Sequence, residues 1–294
     1  MGLRNWVFSA ARKALRVLSG RGLGNLKPAR AAYALFFKYL RPAIEINGCK
    51  MFINPRDMVV SKKLIFDNAW EPFETEIFKR EIKAGDVVLD IGANIGYYTL
   101  LAARLAGPAG RVYAFEPEPA NFALLEKNVR ANGCTNVILE QKAVANQGGK
   151  LKLYVSDQNK GDHQIYAFGE RFAFVEIDAV RLDDYFRDYT GAVDVVKMDI
   201  QGAEALALEG AEKLLNKFPA LKLFTEFCPE KLKACGTDPR EYLYRLWAGG
   251  FRLQKIDDHK NGLLPVSVED LLQMPEPETN LLCQRANRSG EENK

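Results

Sequence analysis

The sequence predicts an α/β fold, a mostly parallel sheet doubly wound by helices on both faces. Three observations predict it. Short apolar runs rich in Val, Ile, Leu and Phe recur from residue 87 onward and several stop at an acid. Stretches with helical periodicity lie between them, and Gly or Pro marks most junctions. Strands that alternate with helices in this way build βαβ units, and such sheets bind ligands beyond their carboxyl ends. The chain has 294 residues, enough for one large domain or two small ones. With 47% apolar and 27% charged residues it has the balance of a globular protein, which excludes collagen, acidic disordered chains and disulfide miniproteins. Five scattered cysteines without a C-x-x-C pair argue against a zinc site and fit a reducing, cytoplasmic setting.

The first element is a basic arm. Residues 1–50 hold ten Lys/Arg and one acid, Glu45, for a charge of about +9, while the remainder is about −6. Residues 5–19 read as an amphipathic helix, with Val7, Ala10, Ala14 and Leu18 on one face and Arg12, Lys13 and Arg16 on the other. An aromatic-rich patch, AAYALFFKYL, follows at 31–40. Three readings stand: a helical cap on the body, a helix on an anionic membrane surface through residues 1–45 with Trp6 and Phe8 as anchors, or a transit peptide. No run approaches the 18 or so apolar residues of a membrane span. The expected division is a basic, helical arm or cap over 1–75, a body over 76–285 and a polar tail over 286–294.

Within the body the expected strands are 87–91, 111–116, 136–144, 193–199, 221–227 and 251–257, with 280–285 as a last edge strand. Helices are expected over 98–106, 119–132, 203–215 and 239–250. Residues 146–185 depart from the alternation, with extra strands at 150–156 and 172–178 around a polar loop that would lie near an acceptor.

The first loop, VLDIGANIGYYT, carries the chemistry. Gly92 and Gly96 let the backbone turn sharply beside a ligand. Asp90 would repel the pyrophosphate of a dinucleotide, and the third glycine of that fingerprint is missing. An acid there suits S-adenosylmethionine, which carries a sulfonium and an ammonium. Glu116, at the end of the second strand, is placed to accept both ribose hydroxyls. Ala143 and Val144 would pack on an adenine, and Tyr97, with Tyr98 and Phe115 as alternatives, would face the sulfonium.

The segments DIGANIGYYT, AFEPEPANFALLEKN, VVKMDIQGAE and LFTEFCPEKL resemble the FkbM family of S-adenosylmethionine-dependent methyltransferases, over roughly residues 70–257. The resemblance implies a class I, Rossmann-like sheet of seven strands. It also implies methyl transfer, usually to a hydroxyl of a sugar, macrolide, lipid-linked glycan or other small acceptor. The cofactor set expected on these motifs is Asp90, Gly92, Asn94, Gly96, Tyr97, Thr99, Glu116, Pro117, Asn121, Ala143, Val144 and Asp199. Where the family commonly has Glu, this chain has Gln201.

A hydroxyl acceptor must lose a proton, so a general base is expected. Asp199 and Glu226 end adjacent strands, Glu204 opens the next helix, and His163 lies in the insert; these four are the candidates. Helix capping is the competing role for Glu204, and His259 reads as part of a solvated turn. Asp199 with Glu226 would offer oxygen ligands to Mg²⁺, but two carboxylates make no site and no metal is expected. A dinucleotide-dependent oxidoreductase, an RNA-directed methyltransferase and a non-catalytic binding module are the rival classes. Nucleic acid is disfavoured because the bases cluster on one arm. The oligomeric state is left open.

Overall fold

In the computed structural model, residues 43–54, 57, 59–155, 161–166, 173–257 and 260–285 are described. Thirteen strands run in chain order: β1 Ala43–Ile46, β2 Cys49–Phe52, β3 Val87–Ile91, β4 Arg111–Phe115, β5 Val137–Glu140, β6 Ala143–Val144, β7 Gly149–Tyr154, β8 Phe174–Val180, β9 Val195–Met198, β10 Lys222–Phe227, β11 Phe251–Asp257, β12 Gly262–Pro265 and β13 Thr279–Arg285. Eight of them form the main sheet, in the order β12-β11-β13-β10-β9-β3-β4-β5. The five from β10 to β5 are parallel neighbours, and β13 runs antiparallel between β10 and β11.

Side-chain alternation explains the layers. Leu89, Ile91, Phe115, Val196, Met198 and Leu223 point to one face, into a core with the helices Glu204–Gly210, Glu212–Lys217 and Pro239–Ala248. Val88, Val112, Val195 and Phe224 point to the other, against the helices Val60–Asp67, Pro72–Glu81 and Tyr97–Ala106. There Phe78 meets Tyr98 and Phe224 edge-on, at centroid distances of 4.9 and 5.3 Å, geometry worth about 0.5–1.5 kcal/mol per pair beyond area burial.

The topology locates the crevice. From β3 the chain steps outward through β4 to β5, then returns to β9 on the opposite side of β3. The winding reverses between β3 and β9, so their carboxyl ends flank an open gap.

The structure corrects several expectations. The main sheet has eight strands rather than seven, because β12 folds back on β11 as a hairpin; residues 258 and 259, with His259, lie outside the described residues. β13 is an interior strand, not an edge: Leu281, Leu282 and Cys283 are all fully buried, on both faces of the sheet. The run 136–144 divides into β5 and β6, and β6 joins β7 and β8 in a separate three-stranded sheet. The helix expected over 203–215 breaks at Ala211, which caps both halves. The segment read as helical to residue 75 contains the β1–β2 hairpin, turned by Asn47-Gly48 with φ of 51° and 72°, the Asn-Gly signature of a tight hairpin. The cut at 75/76 falls inside the helix Pro72–Glu81. The amphipathic helix over 5–19 and the patch over 31–40 lie outside the described residues. Among the described residues no helix is long and apolar enough to cross a membrane.

Candidate active site

Two cavities with shared lining residues lie at the carboxyl ends of β3, β4, β9 and β10. A narrow cleft is lined by Gly92, Asn94, Phe115, Glu116, Pro117, Asn121, Lys142, Ala143, Val144, His163 and Asp199. A wider cavity of about 370 Å³ is lined by Trp70, Glu71, Asp90, Tyr97, Tyr98, Asp162, Lys197, Asp199, Glu226, Lys231 and Glu278. Gly92, Asn94, Gly161, Asp199 and Gln201 line both.

The loop after β3 is folded tightly. Gly92 has φ of 84°, and a Cβ there would overlap the carbonyl oxygen of Asp199; only glycine takes this conformation and this approach without strain. The loop amides are already committed. Gly92 and Ala93 donate to the Phe115 carbonyl, Ile95 to Asn94 Oδ1 and Gly96 to the Ala93 carbonyl. Asn94 N–H donates to Glu116 Oε2 at 2.8 Å, and Glu118 N–H to Glu116 Oε1 at 2.9 Å. No ring of open amides is left here for a pyrophosphate.

Carboxylates dominate the walls. Burial lifts Glu116 to about 8, against the two amides that favour its charge. Burial lifts Asp90 to about 6, against the Thr99 hydroxyl and Lys197; Thr99 Oγ1 donates to Asp90 Oδ2. Asp199 is gripped from one side, where Gln201 Nε2 donates to its Oδ1 at 2.7 Å. The Gln201 carbonyl oxygen accepts from Lys231 Nζ at 2.8 Å. The neutral amide therefore links an ammonium to a carboxylate, which a Glu at this position, lacking a donor, would not do. Lys231 also pairs with Glu226 and Glu278 at 3.3 and 3.2 Å. Burial and the nearby Asp199 push Glu226 well above the ordinary range, against Lys231.

Asp199 and Glu226 both line the wide cavity. Glu204 faces neither. Its Oε1 and Oε2 accept from Ile200 N–H at 3.0 Å and Gly202 N–H at 2.9 Å, so it clamps the loop that carries Asp199. Burial lifts it to about 7. His163 lies along the narrow cleft beside Glu116 and Ala143 rather than in the wide cavity. Tyr97 lines the wide cavity, and its hydroxyl accepts from Asn47 Nδ2 at 3.1 Å. Gly96 and Thr99 stand behind the walls, one capping the helix Tyr97–Ala106 and the other holding Asp90.

Several lining groups escaped the sequence reading. Lys197 is 1% exposed in the middle of the sheet, with Nζ 3.3 Å from Glu74 Oε1, 4.0 Å from Asp199 Oδ2 and 5.0 Å from the Tyr98 ring centroid. Burial would strip its proton, but Glu74, Asp199 and Glu71 outweigh burial and hold it protonated. Asn280, on β13, donates to Glu71 and Glu74. Trp70 and Glu71 come from a segment without a motif, while Lys197 and Lys231 lie inside the quoted segments VVKMDIQGAE and LFTEFCPEKL without being picked out there. Among the described residues no group of three or more His, Cys, Asp or Glu is placed to hold a metal ion.

The methyltransferase FkbM domain matches residues 90–253. Methyltransferase 1 of Beauveria bassiana is 25% identical over 52% of this chain and 66% of its own length. The 31-O-demethyl-FK506 methyltransferase FkbM of Streptomyces tacrolimicus is 28% identical over 45% of this chain and 62% of its own. The 2-O-methyltransferase NoeI of Sinorhizobium fredii is 24% identical over 51% and 66% respectively. The chain thus spans less than two thirds of the length of the curated relatives it matches. The FkbM domain covers more than half of this sequence and takes in the carboxyl end of β3 with β4, β9 and β10, whose ends form the crevice, and the chain belongs to the FkbM methyltransferase family.

Proposed function

We propose that this chain is an S-adenosylmethionine-dependent O-methyltransferase acting on a hydroxyl of a sugar, lipid-linked glycan or other small acceptor. One observation carries the reading: a cleft lined by a buried Glu116 shares Asp199 with a second cavity walled by carboxylates.

The residues present fit the cofactor. Glu116 would take the ribose hydroxyls on the lone pairs its two amides leave open. Ala143, Val144 and Phe115 provide apolar surface for an adenine. Asp90 and Asp199 favour a cationic end, and Gly92, which lines both cavities, adds no side chain to the wall. When bound, the cofactor supplies an activated methyl group on a sulfonium.

The chain's own contribution is alignment and proton handling. Gln201 and Glu204 set the loop after β9, so Asp199 is held at the junction of the cavities. Asp199 is the proposed base. Positioning of this kind is worth up to roughly 7–11 kcal/mol, and a placed base about 10²–10⁴-fold. Six acids in the wide cavity against Lys197 and Lys231, both already paired, favour a neutral or cationic acceptor over a phosphodiester such as RNA. The basic arm over residues 1–45 would contact an anionic surface; its charge alone supports this.

Calorimetry with S-adenosylhomocysteine and NAD tests the reading. Binding of S-adenosylhomocysteine alone is expected, and binding of NAD alone would overturn it.

A further inference from the structure

The wide cavity contains a second charged group beside Asp199 that the family motifs do not assign. Lys197 belongs to its wall, and among the described residues its buried Nζ has no aligned hydrogen-bond acceptor despite its ion pair with Glu74. Among the described residues Asp199 accepts a hydrogen bond on one oxygen: Oδ1 accepts from Gln201, and Oδ2 faces Lys197 across 4.0 Å. That gap is too long for a strong direct hydrogen bond. It matches two groups that share one small atom. An oxygen about 2.8 Å from each would subtend about 90° between them, close to the angle at which a hydroxyl accepts one hydrogen bond and donates another.

We infer that Lys197 and Asp199 Oδ2 together hold the acceptor hydroxyl, with Lys197 donating to its oxygen and Asp199 receiving its proton. This rests on the methyl-transfer reading above. As the acceptor oxygen forms its bond to the methyl carbon, the bond from that carbon to sulfur breaks. Its electron pair stays on sulfur, neutralising the sulfonium, and the hydroxyl proton moves to Asp199 Oδ2. Lys197 opposes the negative charge that grows on the oxygen before the new bond is complete, the role of a preorganised donor at a developing oxyanion. The burial of the pair makes the arrangement specific. Tyr98 packs against the ammonium, and Glu74, held by Asn280 at 2.6 Å, fixes it from behind. Lys197 has little freedom to swing to Asp199 and close the gap.

Two measurements test the dyad. The first is a high-resolution crystal structure of the full chain with S-adenosylhomocysteine. An ordered water within hydrogen-bond distance of both Lys197 Nζ and Asp199 Oδ2 is expected as the stand-in for the acceptor. A direct Lys197–Asp199 hydrogen bond with nothing between would overturn the inference. The second is transfer of a labelled methyl group to a panel of methyl glycosides. Lys197→Met should lower kcat by at least about 10²-fold, with a smaller rise in acceptor KM and S-adenosylhomocysteine affinity changed less than about twofold. Because Lys197→Met strands Glu74 in the core, the double variant Lys197→Met/Glu74→Gln controls for folding and should show the same loss. A kcat at the wild-type level in either variant sinks the dyad. If the wild-type chain transfers to no glycoside, the acceptor class fails instead, and the crystal structure alone then decides the dyad.

Discussion

Glu116 shows how one residue can carry both recognition and pH dependence. It is 5% exposed, accepts two backbone amides, and is nonetheless lifted to about 8 by burial. The ionised form is the better acceptor for a diol, so S-adenosylhomocysteine should bind more tightly as pH climbs from about 6 through 8. Titration calorimetry across that range, in buffers of different ionisation heat, should also show proton release on binding. Glu116→Gln should flatten the profile and weaken binding by about 10–100-fold, as expected for the loss of charge-assisted hydrogen bonds. Asp199→Asn should lower methyl transfer by about 10²–10⁴-fold, a larger effect than its weakening of nucleoside binding. Both acids were legible in the sequence, because each terminates an apolar strand. Glu204 was legible only as an acid: nothing in DIQGAE distinguishes a base from a clamp, and the difference lies in which way a helix N-terminus turns.

At the scale of elements, the site depends on two supports. The first is the loop after β3. Gly92→Ala would force a Cβ onto the Asp199 carbonyl in a left-handed conformation, costing of order 1–3 kcal/mol. A lower Tm together with loss of nucleoside binding is the expected readout. The second support is the β1–β2 hairpin, which Asn128 fastens to the body. Its side-chain amide donates to the carbonyls of Phe52 and Ile95, and its oxygen accepts from Phe52 N–H. Asn128→Ala would leave buried backbone groups unpaired, at about 1–3 kcal/mol. Thermal unfolding should register that loss, and hydrogen exchange should show faster opening of residues 49–52. The hairpin had a local signal, Asn47-Gly48, but the aromatic patch before it drew the reading toward helix. β13 was legible as a strand yet not as an interior one, because burial on both faces depends on neighbours far along the chain.

The whole molecule carries a stability consequence of the same buried acids. Asp90, Glu204 and Glu116 sit at about 6, 7 and 8, each raised by burial above its ordinary carboxylate value. A raised acid favours the folded state while it is protonated. Its contribution is complete below the unfolded value near 4 and fades as pH rises through the folded value. Tm should therefore fall between about pH 5 and pH 8.5 in the ligand-free protein, with Glu116→Gln reducing the slope at its upper end. A Tm that rises over that window would contradict the burial of these groups.

Periodicity and punctuation alone determined the α/β class, the central strands β3, β4, β9 and β10 and the glycine loop, because a parallel strand buried on both faces must be apolar throughout and a sharp turn against a ligand needs glycine. The acids that end those strands followed from the same patterns. Tertiary structure alone decided which acids share a cavity, that Glu204 serves the loop, and that Lys197 stands across from Asp199. The acids that share a cavity come from separate strands, and only strand order brings them within a few ångströms; Glu204 and Lys197 act on neighbours two to four residues away, where burial and the turn after β9 decide which way each side chain faces.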